Sequence, residues 1–424
     1  MSCVNMKNII KKIALFWATI APGIFLVGYN IGTGSITTMA SAGASYGMTL
    51  TWALALSCLF TYVLIIAFSR YTIITGKTAL FSFKNNFGRG VTIFILFSLL
   101  ISEIVSCMGV MGVVAQVIQE WSRPITHDGE GFNMIVVAGV ICILLYYIFW
   151  QGKQALFEKI LSLFVFVMGV CFLATMFIVM PEPASILKGL VPTLPNHPNA
   201  FLIVAGMVGT TMGGVLYVVR SILISEKGWH IEDMKLQKRD AAVSVSIMFL
   251  LSFAVMACAA GTMFTKGLTV DNAIDMVKLM EPLAGQLAVS MFVAGIVCAG
   301  VSSLFPIIVL GPWLISDFLG IDRDLTKRWA RVMALATTLC GLVVPVFGGS
   351  PVFVMIFSQS LAIISTPLVI ALMIILLNKK LLMGKHRATI KDNVLYGITL
   401  LFALIVAIVA ILGIINYPLA ELIH

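Results

Sequence analysis

"GYNIGTGSITTMASAGASYG", residues 28–47, opens like a membrane helix but carries five glycines, an asparagine and a run of serines and threonines where a bilayer centre would fall. A peptide group left unpaired in hydrocarbon costs several kcal/mol, so irregular backbone at that depth persists only when buried in protein or lining a wet cavity. The stretch therefore reads as an interruption kept for a purpose.

The rest of the chain supplies the membrane. Of its 424 residues, 60% are hydrophobic and 11% charged, against roughly 25% charged in an average soluble domain. Apolar runs recur along the whole length, each long enough to cross a hydrocarbon core about 30 Å thick at 1.5 Å per residue. Eleven spans are predicted, at about 14–38, 47–69, 91–117, 133–150, 156–180, 200–225, 240–264, 285–315, 329–347, 351–377 and 393–417. The first is too long for the apolar part of a cleaved signal and is expected to stay in the protein. The connections leave no room for a soluble domain, so one membrane domain is expected.

A net charge of +9 raises nucleic acid as a partner, but the basic residues are scattered in short loops, which argues against it. Their placement speaks to topology instead. With an inside N-terminus, only Arg123, Lys188, Lys266 and Lys278 fall outside and Arg220 falls within a span, leaving 22 of the 27 basic residues on one side. The positive-inside rule then orients the chain N-inside and C-outside in a plasma (inner) membrane. Seven of the eight cysteines lie in apolar spans and none forms a CxxC pair, so they read as small core residues rather than redox or metal groups. No cofactor is expected, no HExxH, Walker A or GxSxG motif suggests an enzyme, and a monomer in the lipid bilayer is the simplest assembly.

A second interruption occurs in span six, "GMVGTTMGGVLYVVRS", residues 206–221. Spans one and six each open a group of five. Matched interruptions in two halves are the best sequence pointer to a transporter binding site, where free carbonyls and N–H groups at broken helix ends face a ligand. The alternative for either stretch alone is close helix packing through small residues four apart. The substrate-binding candidates are Asn30, Gly32, Thr33, Ser35, Thr210, Thr211, Met212 and Gly213. Valine at Gly34 or Gly213 is expected to abolish transport.

Several stretches resemble the Nramp divalent-metal transporters nearly end to end: "APGIFLVGYN" (21–30), "AGASYGMTLTW" (42–52), "ISEIVSCMGVMGVVAQ" (101–116), "EPLAGQLAVSMFVAGIVCAGVSSL" (281–304) and the segment from "FSQS" at 357 onward. The resemblance implies an all-α polytopic fold of LeuT type. It has a five-plus-five inverted repeat (about 14–180 and 200–377), helices 1 and 6 broken, and an extra eleventh helix. It also implies a divalent cation as substrate. The ligands depart from the family pattern. Gly32, Thr33, Gly34 and Ser35 stand where the family carries Asp-Pro-Gly-Asn, and Met212, Gly213 and Gly214 where it carries Met-Pro-His. A divalent ion needs oxygen ligands with negative charge, so a site of carbonyls, hydroxyls and one thioether is expected to bind it weakly. The family's ligands do not carry over residue by residue, and the candidate metal set is Met212, Ser35 and Glu103. A small neutral or anionic solute stays open as an alternative substrate.

Glu103 is the sole acid deep in a predicted span, and intramembrane acids usually serve as ion ligands or proton relays. The resemblance assigns coupling roles to Glu103, to Arg220 in place of a second histidine, and to Arg331 in span nine. It also places Gln359 on the substrate path. Arg220 has two further readings, snorkelling to the interface or pairing with a carboxylate.

Overall fold

The computed structural model describes residues 21–151, 154–195, 200–268 and 281–416. Among them there are helices and no strands, as expected for a chain that must pair its backbone within each crossing segment. Ten helices are long and apolar enough to cross a membrane, and span one adds a further helical stretch whose predicted start, 14–20, lies outside the described residues.

We number the spans in chain order. Helix α1 runs as α1a (Ala21–Asn30), a π-helical segment (Ile31–Ser35) and α1b (Ile36–Tyr46). Then come α2 (Thr51–Thr75), α3 (Arg89–Ser122), α4 (Met134–Gln151) and α5 (Gln154–Ile178). Helix α6 is split into α6a (Ala200–Met212) and α6b (Gly214–Lys227). It is followed by α7 (Met234–Thr262), α8 (Glu281–Leu319), α9 (Arg328–Cys340), α10 (Pro351–Asn378) and α11 (Ile390–Asn416). The predicted span at 329–347 ends its main helix at Cys340, and a separate short helix covers Val343–Phe347.

Helix ends follow local chemistry. Gly76, in the left-handed region at φ 65°, ends α2 and donates its N–H to Thr72 O, a conformation that glycine enters without steric cost. Helix α10 starts with Pro351 in the first turn, and the Ser350 hydroxyl accepts from Phe353 N at 3.3 Å, an N-cap that meets one orphan donor.

Burial separates centre from rim. The most apolar window of α6 is 100% buried and that of α4 only 22%, while α11 combines a mean hydropathy of 3.2 with 33% burial. Helix α6 is therefore wrapped by protein, and α4 and α11 turn apolar side chains to lipid. Equivalent helices of the two halves meet: α3 packs on α8, and the π segment of α1 packs on α6a. The seven described cysteines are free, five of them buried.

Candidate functional site

The two interruptions lie together but take different forms. In α6 the break is complete. Gly213 adopts φ −62°, ψ 140°, an extended conformation that stops the ladder, and the freed groups are met by side chains from three other helices. Asn30 Nδ2 donates to Thr210 O at 2.5 Å, Thr61 Oγ1 to Thr211 O at 2.9 Å, and Gly214 N to Thr366 Oγ1 at 2.8 Å. A buried backbone break with its polar groups this fully served is a built feature, since each unserved group would cost about 1–3 kcal/mol.

In α1 the expected unwinding is replaced by a π segment, Ile31–Ser35, whose flanking residues keep helical dihedrals. π-bulges are rare and concentrate at functional sites. The glycines act here through contact rather than through a turn. A Cβ on Gly32 would lie 1.9 Å from Ala299 O of α8, and one on Gly34 would lie 2.4 Å from Gln359 Cγ of α10. Both glycines thus let the α1 backbone touch its neighbours. Just before the π segment, Ser303 Oγ donates to Gly28 O at 2.8 Å and lies 3.1 Å from Tyr29 O.

The predicted residues sort into two groups around this centre and one outlier. Asn30, Ser35 and Thr210 come together: Ser35 Oγ lies 3.2 Å from Thr210 Oγ1 and accepts from Ser252 Oγ of α7 at 3.3 Å. Thr211 turns away, donating to Met207 O within its own helix. Met212 is fully buried at the end of α6a. The side chain of Thr33 lies outside the described residues.

The second group is Gln359, Ser106 and Ser358. Gln359 Nε2 donates to Ser106 Oγ at 2.9 Å, and Ser106 Oγ lies 3.0 Å from Ser358 Oγ. One turn along α3 from Ser106, Glu103 Oε1 accepts from Tyr29 OH at 2.5 Å. Glu103 Oε2 is buried with no hydrogen-bond partner. Tyr29, beside Asn30, and Ser106, one turn from Glu103, were missed by sequence reasoning; the signal was their spacing from residues already singled out.

Two features of the charges were not visible in the sequence. Besides Glu103, Asp240 of α7 and Asp317 of α8 are buried in protein, 0% and 3% exposed. Both sit near helix ends, where the predicted span boundaries placed them at or beyond the membrane edge. Of the readings for Arg220, snorkelling fails and pairing with a carboxylate holds. Arg220 is 0% exposed, and its Nη1 donates to Asp240 Oδ2 at 2.5 Å and its Nε to Ser69 Oγ at 2.8 Å. The outlier is Arg331, which stacks over Trp150 of α4 with 3.8 Å from guanidinium carbon to ring centre, a cation–π contact away from the α1–α6 centre.

Among the described residues no group of three or more His, Cys, Asp or Glu side chains converges. The centre instead offers hydroxyls, amides, carbonyl oxygens and one carboxylate. Both glycines expected from the sequence to be intolerant of a side chain are closely packed. Valine at Gly34 displaces Gln359 from Ser106, and although Gly213 has dihedrals any residue adopts, a Cβ there would lie 2.8 Å from the backbone oxygen of Gly209. Uptake by the purified protein in liposomes should fall more than about tenfold with either Gly34→Val or Gly213→Val, in keeping with the usual cost of overpacking a buried contact.

Inverted halves with interrupted α1 and α6 meeting at a fully buried centre define a membrane transporter of the LeuT type. Residues 23–413 match the family described as natural resistance-associated macrophage protein-like, Nramp, and the chain belongs to that family. Relatives include a protein named divalent metal cation transporter MntH from Klebsiella pneumoniae, 26% identical over 373 residues with 84% of each chain covered. One of the same name from Erwinia tasmaniensis is 26% identical over 354 residues, with 80% of each covered. A crystal structure of a mutant of the Eremococcus coleocola manganese transporter superposes with a TM-score of 0.73 at 13% identity, covering 94% of this chain and 86% of that one. MHP1, a nucleobase-cation-symport-1 family transporter solved in a closed conformation, follows at 0.58 and 13% identity, covering 95% and 91%. The family and these relatives are transporters, not enzymes.

Proposed function

We propose that this protein is a secondary-active transporter that carries a divalent metal cation, of the Mn²⁺ or Mg²⁺ class, by alternating access between the two halves of the inverted repeat. The observation that carries the reading is the meeting of the α6 break with the π segment of α1, beside a buried carboxylate that has one oxygen unpartnered, in a chain whose relatives are named for divalent metal transport. The cation's surroundings are Ser35, Met212, Gln359 and the carbonyls at the end of α6a, with Glu103 as the negative charge. Mg²⁺ dehydrates reluctantly and keeps waters around one or two carboxylates, so a site of this composition suits a cation that retains part of its hydration shell. Glu103 also serves as the acceptor of a coupled proton.

A small neutral solute is the second reading, favoured by the glycines and hydroxyls that stand where the family places a carboxylate and an amide. An anionic solute loses its attraction, because the charge of Arg220 is taken by Asp240. The test is uptake into liposomes of Mn²⁺, Mg²⁺, Ca²⁺ and a panel of neutral solutes. Saturable divalent uptake in the micromolar to millimolar range is expected; a solute carried without metal overturns the proposal.

The same reading places the N-terminus inside and the C-terminus outside the plasma membrane of a monomer. Cysteines introduced near residues 190 and 235 are then labelled from opposite sides in intact cells. Labelling of both from one side rules the arrangement out.

A further inference from the structure

Asp240 joins parts of the molecule that the transport reading requires to move apart. Its Oδ2 accepts from Arg220 Nη1 on α6b, and its Oδ1 accepts from the backbone N–H of Gly23 on α1a at 3.1 Å. Arg220 in turn reaches Ser69 on α2, and the Asp240 carbonyl accepts from Ser244 Oγ at 2.6 Å, all in buried surroundings. One carboxylate on α7 therefore ties the first turn of α1a to the middle of α6b. These are the halves of the two interrupted helices on the side that the basic residues assign to the cytoplasm.

The contact is steric as well as electrostatic. A Cβ on Gly23 would lie 1.8 Å from Ser244 Oγ and 2.7 Å from Asp240 Oδ1, so α1a lies against α7 as closely as a backbone allows. The closed arrangement also leaves polar atoms unserved. Arg220 Nη2 and both amide atoms of Gln237, one turn before Asp240 on α7, are buried with no hydrogen-bond partner. Buried unpaired polar groups penalise the state that holds them, and water reaching this end of α7 would relieve the penalty. The site thus has strong ties that favour closure and orphan groups that favour opening, the balance expected of an element with two discrete arrangements.

We propose that Asp240 is a cytoplasmic latch, holding α1a through the Gly23 N–H and α6b through Arg220, and that cargo leaves on this side only when both ties break. The proposal rests on the transporter reading, but its test does not use cargo. Hydrogen exchange measured by mass spectrometry on the full chain in detergent reports the opening of each helix directly. Gly23→Ala pushes α1a off Ser244 without changing any charge. Arg220→Lys keeps the charge facing Asp240 and removes the guanidinium fork that also reaches Ser69.

Both variants are expected to raise exchange at least about tenfold in Ala21–Asn30 and Gly214–Lys227, leaving α3 and α10 at wild-type protection, as for a local rather than a global opening. Wild-type protection of those two segments in either variant, or a rise shared equally by α3 and α10, overturns the latch. Failure of divalent uptake in wild-type liposomes would count against the proposed cargo and leave the exchange result standing.

Discussion

Glu103→Gln is expected to weaken divalent-cation binding about 10- to 100-fold while the protein still folds and purifies. The size follows from the charge that is removed. A unit charge about 4 Å from another is worth about 4 kcal/mol at an effective dielectric of about 20, and a charge-assisted hydrogen bond contributes about 1.5–3 kcal/mol net. Glutamine keeps the shape and still offers Tyr29 OH an oxygen, so the existing bond to α1a survives. It turns the unpartnered Oε2 into an N–H₂ that repels a cation. If Glu103 also accepts the coupled proton, uptake by the variant loses its dependence on external pH, since glutamine has no proton to exchange. Calorimetry with Mn²⁺ and uptake across a pH gradient read these two effects separately. Affinity, rate and pH profile all at wild-type values would make Glu103 a structural residue and remove the one negative charge from the proposed site.

That experiment turns on a residue the sequence could single out, because an acid in the middle of an apolar run is visible without a structure. The two interruptions were legible for the same reason: glycines and hydroxyls stand out against a background that is 60% hydrophobic. What glycine does at each place was not legible. Gly32 and Gly34 suggested a turn, and the structure uses them for backbone contact with Ala299 and Gln359 inside a helix that changes pitch without opening.

Partners across helices were also beyond reach. Thr61, Thr366 and Asn30 serve the α6 break from positions 150, 152 and 180 residues away in the chain. A threonine that bonds a neighbouring helix has the same local signature as one that bonds its own. Asp240 was hidden by its place directly after Arg239 and close to Lys235 and Lys238, in a stretch that reads as a cytoplasmic helix end. Its burial depends on how α1a and α6b fold over that end, which periodicity along one helix cannot show.

Arg220→Leu is expected to destabilise the protein by about 3–5 kcal/mol, the usual cost of leaving one member of a fully buried ion pair without its partner. Both side chains are 0% exposed, so no solvent screens the carboxylate once the guanidinium is gone. Asp240 would keep only the Gly23 N–H as a donor. Leucine fills the aliphatic part of the space and keeps helix propensity, so the loss reports the charge rather than a cavity. Adding Asp240→Asn to Arg220→Leu should recover more than half of the loss, because an uncharged amide in that position needs hydrogen bonds but no counter-charge. The coupling between the two changes then appears as strong non-additivity, as expected for residues in direct contact. Thermal unfolding in detergent, followed by intrinsic fluorescence for the two single variants and the double variant, measures it. Additive losses, with the double variant less stable than either single one, would mean that Arg220 and Asp240 are held apart by the surrounding helices and that their contact contributes nothing to the closed state.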